Sequence, residues 1–469
     1  MRKPLLVTLL ALSVSGCMIG PDYFRPAVET PPAWRLSEQN AKDLANTTWW
    51  EQFGDPVLND LMVTALRENK DLKIAAARVE EFAGNYGIVR SGLFPQVGAG
   101  YEPSRQRNTL PGDAGPSTYN SYQVVLNAAW EIDIWGRIRR QTEAANAQLL
   151  ASEEGRRGVI LSLVGSVATS YINLRSLDRQ LEIARETAKS RGESYEIFKL
   201  RFEGGVISQL ELSQNKSQYE EALATIPLVE KAIAQQENGL SVLLGRNPGP
   251  IVRGKTIDQL ALPTIPAGLP SDLLERRPDI RRAEQNLIAA NALIGAAKAA
   301  YYPTISLTGL FGYASLGLGN LFNSASKVWQ YSAPINMPIF TGGALAGQVQ
   351  VAEATQQQAL FEYQRAIQEA FREVNDALVN QDRTGAQLVA QKSQVKSLEL
   401  YAETARLRYD NGYTSYIEVL DAERSLFNAQ LQYTQTQQTQ FQAMTNLYKA
   451  MGGGWVAEAE KMSAQPAGK

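Results

Sequence analysis

The chain has 469 residues, with 46 Lys and Arg against 48 Asp and Glu, one cysteine and no histidine. The missing histidine removes His-based triads, imidazole general bases and His/Cys metal sites. No paired-carboxylate motif replaces them, so an enzyme is the weak reading and no cofactor or metal is expected. A formal charge of −2 leaves no electrostatic footprint for nucleic acid.

The chain opens on Arg2 and Lys3, continues in an apolar run from Leu5 to Val14, and reaches Val14-Ser15-Gly16 just before Cys17. The run is too short to span a bilayer and has the flanks of a secretory signal. Small residues ahead of the cysteine resemble a bacterial lipobox, in which cleavage after residue 16 leaves Cys17 as the lipidated first residue. In the logic of such lipoproteins, Met18 rather than Asp after the cysteine favours release to the outer membrane. The mature chain then carries no free thiol into an oxidising compartment. Nowhere later do 18 consecutive apolar residues occur, so no membrane-crossing helix is expected.

Residues 17–55 read as an extended, Pro-rich arm. A short helix follows Asp55-Pro56, and a stronger one runs from about Asp71 to Leu93, ended by Pro95. The segment Arg137–Glu203 is a very long helical pattern in which Ile160, Val164, Val167, Tyr171 and Leu174 form a packed seam, stopped by Gly204-Gly205. Another helix runs from Ser208 to Leu244. Residues 247–277, rich in Pro and Gly, read as a connector. The plan then returns, with helices at about Asp279–Tyr301, Ala344–Asp410 and Ser415–Met451; residues 454–469 are taken as a flexible tail. A helix of this length reaches about 100 Å at about 1.5 Å per residue. The two shorter helices of a half sum to nearly the same length, which predicts a column.

The return is a duplication. Lys199-Leu-Arg-Phe-Glu-Gly-Gly-Val-Ile-Ser-Gln-Leu-Glu-Leu212 comes back as Arg406-Leu-Arg-Tyr-Asp-Asn-Gly-Tyr-Thr-Ser-Tyr-Ile-Glu-Val419. Phe94-Pro95 comes back as Tyr302-Pro303, and Leu240–Gly245 as Leu447–Gly452. The echoes share one order and nearly one offset, so residues 56–246 and 278–453 are two copies of one unit.

Each copy holds two strand patterns. Tyr122, Val124, Leu126, Ala128, Trp130, Ile132 and Ile134 alternate with polar residues, as do Trp329 through Ile339 and Ile305 through Tyr313; Val97, Ala99 and Tyr101 do so more weakly. This period of two gives one apolar and one polar face over bilayer-crossing lengths. No amphipathic helix is left to cover the apolar face. Four strands cannot close a barrel, and open edges in lipid stay unsatisfied. The chain must therefore oligomerise, with eight strands from two copies or twelve from three.

Several longer motifs together resemble the TolC-type outer membrane factor family in its OprM-like lipoprotein branch. They are Gly20-Pro-Asp-Tyr-Phe-Arg-Pro26, Trp49-Trp-Glu-Gln-Phe-Gly-Asp-Pro56, the Arg277–Gly295 run opening Arg-Pro-Asp-Ile-Arg, Tyr409–Gln430, and Leu447–Trp455. The resemblance covers essentially the whole chain. It implies a mixed α and β membrane protein whose internally duplicated protomer has four transmembrane strands and long periplasmic helices. It also implies a homotrimer with a 12-stranded β-barrel in outer membrane lipid, continued by an α-helical barrel. The implied partners are a periplasmic adaptor protein and an inner-membrane efflux transporter of the RND type.

The hairpins at 203–208 and 410–415 are expected farthest from the membrane. Ser208-x-x-Glu211 and Ser415-x-x-Glu418 both fit capping boxes, so Glu418 has a structural explanation beside any role in a gate. Asp421 stands where the first copy has Gln214, and Arg424 where it has Ser217. The resemblance implies that Ile417, Asp421 and Arg424 form a periplasmic constriction, with Glu418 and Tyr409 as neighbours. The function expected is a passive exit duct for small toxic compounds such as drugs, solvents or metals. A duct for type I protein secretion and a lipid-anchored periplasmic coiled-coil spacer are the alternatives.

Overall fold

The computed structural model describes residues 18–28, 30–31, 34, 48–108, 116–265, 272–452 and 456–464. Cys17 and most of the N-terminal arm lie outside the described residues. In chain order the main elements are α1 (Pro56–Glu68), α2 (Lys70–Ser91), β1 (Gln96–Asn108), β2 (Ser117–Ile132), α3 (Arg137–Glu203) and α4 (Gln209–Leu243). After the connector come α5 (Pro278–Ala299), β3 (Thr304–Ser315), β4 (Lys327–Ser332), β5 (Ile335–Asn336), α6 (Ala344–Asp410), α7 (Tyr416–Ala450) and α8 (Val456–Ala464). The long helices α3 and α6 each have 67 residues, and α4 and α7 each have 35. The chain divides into two compact units, one of residues 1–28, 77–153 and 282–364, the other of residues 29–76, 154–281 and 365–469.

The first unit holds the sheet, antiparallel throughout in the order β1-β2-β3-β4, with β5 also on β3. Its register aligns the apolar residues into rows. Ala99 pairs with Leu126, Leu126 with Phe311 and Phe311 with Trp329. Val97 pairs with Ala128, Trp130 with Leu307, and Ile132 with Ile305, which meets Ile335. Leu126, Phe311 and Trp329 are 53%, 48% and 66% exposed, so one whole face is apolar and uncovered by the chain itself. A one-residue slip would put polar side chains on that face, so keeping the face apolar specifies the register. The strand expected over Trp329–Ile339 is interrupted after Ser332. Pro334 has no N–H to give the ladder, and its carbonyl instead accepts from the Ser306 N–H at 3.2 Å.

The start of the arm is docked in this unit. Ile19 N donates to the Trp135 carbonyl at 3.2 Å, and Asn291 Nδ2 to the Pro21 carbonyl at 3.0 Å. Arg140, only 1% exposed, donates to the carbonyls of Ile19 and Gly20 and to Asp22 at 3.2, 3.3 and 2.8 Å. Tyr23 and Arg25 both reach Glu284. Gly20, at φ 100°, crosses Gly295 so closely that a Cβ there would lie 2.3 Å from the Gly295 Cα.

In the second unit, the end of the expected arm is core rather than extended chain. Trp49, Trp50 and Phe53 form a buried 3₁₀ turn, with Trp49 stacked on Tyr448 at 5.0 Å. Asp55 caps α1 through the Val57 N–H and accepts from the Tyr171 hydroxyl at 2.7 Å and the Lys255 N–H at 2.9 Å. The expected seam of α3 is in place, with Ile160, Val164, Val167, Tyr171 and Leu174 at 0% exposure. A window of α3 is apolar enough by composition to cross a bilayer, but this packing makes it a core stretch. The tail expected to be flexible includes α8. Val456 and Ala459 are buried, and Glu460 pairs with Arg156 and Arg157 of α3 at 2.8 and 3.2 Å, which holds the segment helical.

Candidate functional site

The hairpins α3–α4 and α6–α7 close through one backbone turn. Val206 N donates to the Arg201 carbonyl and Tyr413 N to the Arg408 carbonyl, both at 2.8 Å, as in a Schellman cap. The turn needs left-handed backbone, which Gly205 and Gly412 supply at φ 72° and 78°.

The side chains then diverge. Ser208 and Glu211 form the full capping box, with Glu211 N to Ser208 Oγ at 3.3 Å and Ser208 N to Glu211 Oε2 at 2.8 Å. The second box, expected at Ser415 and Glu418, is not formed. Glu418 instead accepts from Arg408 Nη1 at 3.0 Å and from the Thr414 hydroxyl. Thr414 stands where the first copy has Ile207, so a hydroxyl beside the turn competes for the carboxylate.

Behind the turn lies an aromatic cluster. The Phe198 and Tyr416 rings are 4.0 Å apart, Tyr409 and Tyr416 5.0 Å, and Phe198 and Tyr409 6.2 Å. Arg201 donates to the Tyr409 hydroxyl at 3.0 Å. Tyr416 is 3% exposed and accepts from Asn215 Nδ2 at 2.8 Å; burial pushes its hydroxyl up to about 12. Tyr409 thus belongs between the hairpins and shares no hydrogen bond or ring contact with Asp421 or Arg424.

Those two residues are paired. Arg424 Nη2 donates to Asp421 Oδ1 at 2.7 Å, and the side chains are 53% and 51% exposed. Ile417, one turn earlier, is 60% exposed. Positions 417, 421 and 424 follow the i, i+4, i+7 spacing of one helix face. The opposite face carries Tyr416, Val419, Leu420 and Ala422, packed with Phe198 and Ala405. The structure therefore presents Ile417, Asp421 and Arg424 on one face, with Glu418 beside it but bonded to Arg408 and Thr414, and Tyr409 held in the aromatic cluster. Arg408, Thr414 and Arg201, which hold those two, escaped the sequence reading. Only Thr414 left a signal, as a polar substitution for Ile207 between the copies.

No group of His, Cys, Asp or Glu capable of holding a metal ion occurs among the described residues. The tip offers an exposed ion pair and an apolar side chain on a helix face, the chemistry of a contact surface or constriction.

Comparison with known proteins is consistent in sequence and structure. The outer membrane efflux protein family matches residues 61–246 and 269–453, one match for each copy of the repeat. The toluene efflux pump outer membrane protein TtgF of Pseudomonas putida is 38% identical over 482 residues, covering 99% of both chains. The cation efflux system protein CusC of Escherichia coli is 38% identical over 457 residues, covering 96% of this chain and 98% of its own. Among solved structures, the open state of the Neisseria gonorrhoeae MtrE outer membrane channel superposes with a TM-score of 0.85 at 33% identity, over 94% of this chain and 99% of that one.

Proposed function

The chain belongs to the outer membrane efflux protein family, and from that premise we propose that it is a passive exit duct gated at the tip of its second helical hairpin. The protein is an outer membrane component of an efflux pump. It assembles as a homotrimer, in which three four-stranded sheets make one 12-stranded barrel continued by an α-helical barrel. It works with a periplasmic adaptor and an inner-membrane transporter. A purely structural periplasmic spacer would leave the aligned apolar face of the sheet without a use.

The cargo proposed is small toxic compounds, handed on by a transporter of the RND type. Relatives named for toluene, solvents, antibiotics and cations support that breadth. Cys17 is proposed as the acylated anchor, supported by the docking of the chain from Met18 onward. No catalytic step is part of this function.

The gate is proposed at Ile417, Asp421 and Arg424, with Glu418 and Tyr409 setting the conformation of the tip. The observation that carries it is the exposed i, i+4, i+7 face of α7, whose charged pair has no equivalent in the first hairpin. Three Asp421 carboxylates crowd one axis in the trimer, each partly neutralised by its Arg424. Re-formed from Arg424 to a neighbouring helix of the trimer, one exposed pair is worth about 0–1 kcal/mol, and three give a latch of a few kcal/mol that adaptor binding overcomes. The carboxylate ring favours cations in the lumen.

The test is single-channel conductance of the purified trimer in a planar bilayer. Asp421→Ala with Arg424→Ala should enlarge the conductance steps and let antibiotics leak through cells carrying the variant. Unchanged steps in a folded, inserted trimer would remove the gate from these residues.

A further inference from the structure

One layer between the hairpins is polar although it is buried. Arg191 of α3 is 3% exposed. Its Nη1 donates to the Gln218 carbonyl at 2.7 Å and to Glu221 at 3.2 Å, both on α4, and its guanidinium carbon lies 5.1 Å from the centre of the Phe427 ring on α7. The Nε and Nη2 hydrogens have no acceptor. Those two groups form one edge of the guanidinium fork, the edge that grips a carboxylate through two parallel bonds.

Across the boundary is Glu423 of α7. It is half-buried and makes no hydrogen bond or ion pair among the described residues. Burial pushes its carboxyl up, while Arg406 of α6 and Arg191 of α3 act on it in the opposite direction. Arg406 is already engaged, donating to Ser194 Oγ at 3.2 Å and lying 3.4 Å from Asp410. An empty bidentate edge and an unpaired carboxylate are therefore left over in one layer, Glu423 standing one turn of α7 before the Phe427 ring that Arg191 covers. Removing both from water without joining them is costly, and the cost is recovered only where they meet.

Glu423 lies between Asp421 and Arg424 on the same turn of α7 but on its less exposed side. A displacement of α7 that moves the exposed pair also moves Glu423 against α3. We propose that Arg191 and Glu423 join as a bidentate ion pair when α7 shifts on α3, and that this pair holds the tip in its displaced, open arrangement. Both are positioning residues for the gate, and the proposal rests on the gate assignment above.

The test records open dwell times of full-length trimers in planar bilayers. Glu423→Gln, Arg191→Gln and the double variant are made in the wild type and in the Asp421→Ala/Arg424→Ala protein. Glu423→Gln keeps the shape and removes only the charge. It should shorten open dwell by about tenfold, the scale of one charged hydrogen-bonded contact. Arg191→Gln should do the same, and the double variant no more than either alone. Unchanged or longer dwell in Glu423→Gln overturns the proposal. So does a lower melting temperature of the trimer with unchanged dwell, which marks a static water-bridged layer. Each substitution is read against its own parent, in both backgrounds. A silent Asp421→Ala/Arg424→Ala protein is therefore recognised separately, as failure of the gate assignment.

Discussion

Asn69 and Arg277 hold corresponding positions in the two repeats and close corresponding helix ends with different chemistry. Asn69 Nδ2 donates to the Leu243 carbonyl at the end of α4 at 2.9 Å, and Arg277 Nη1 to the Ala450 carbonyl at the end of α7 at 3.0 Å. The asparagine also caps α2, accepting from the Leu72 N–H at 3.0 Å. The arginine binds Asp279 and Glu373 at 2.6 and 2.8 Å.

Truncating the two should therefore cost unequal amounts. Asn69→Ala loses a neutral cap and one carbonyl bond, about 1–2 kcal/mol. Arg277→Ala takes a buried cation from two carboxylates that are themselves 41% and 43% exposed, so water screens the loss to about 2–3 kcal/mol. Denaturant unfolding of the detergent-solubilised trimer measures both, and equal losses would contradict this account.

Two carboxyls predict opposite responses to pH. Burial pushes Asp279 up, but its bonds to Arg277 and the Ile280 N–H hold it below its usual value on balance. Folding favours its ionised form, so its contribution is complete above the ordinary Asp range and fades as pH falls through the depressed value. Burial pushes Glu154 up, and here Arg157 and Arg281 do not reverse it. Folding favours its protonated form, so its contribution is complete below the ordinary Glu range and fades as pH rises through the raised value. Melting temperature against pH should show Asp279→Asn flattening the loss below about pH 4. Glu154→Gln should flatten the decline above about pH 4.5.

The unequal hairpins give a cleaner comparison. Ser208→Ala removes a formed capping box and should cost about 1 kcal/mol. Ser415→Ala removes a side chain that makes no capping bond and should be close to neutral. Glu418→Ala, which cuts the bonds from Arg408 and Thr414, should loosen the second turn alone. Hydrogen exchange at residues 410–418 and 203–211 separates the three variants.

The docked arm rests on one backbone crossing. Gly20→Ala places a methyl group on Gly295 and also requires left-handed backbone of alanine. Limited proteolysis should then cut within residues 18–28 far faster than in the wild type, and Arg140, stripped of Asp22 and two carbonyls, should lower the melting temperature with it.

Much of the fold was legible because its signals are local. Gly204-Gly205 marks the end of α3, and the alternation of β2 and β3 names the face that the register then aligns. The split of the last strand follows from Pro334 and was written in the chain, though alternation alone passes over it. The tip was half legible. The exposed face at 417, 421 and 424 follows from helical spacing. By contrast, the choice of Glu418 between Ser415 and Arg408 depends on how α6 presents its last turn. The helix α8 depends on Arg156 and Arg157, some 300 residues away, and no window of sequence contains that information.

Both units are woven from three separated stretches of chain, and this sets the order in which the molecule is made. When β1 and β2 leave the export machinery, the second partner of β2 has not yet emerged, because α3, α4, the connector and α5 all precede β3. The first hairpin must wait with an open edge and an apolar face, the condition in which strands pair with strangers. The half-made sheet is therefore an aggregation hazard until β3 arrives, a hazard that no finished trimer reveals.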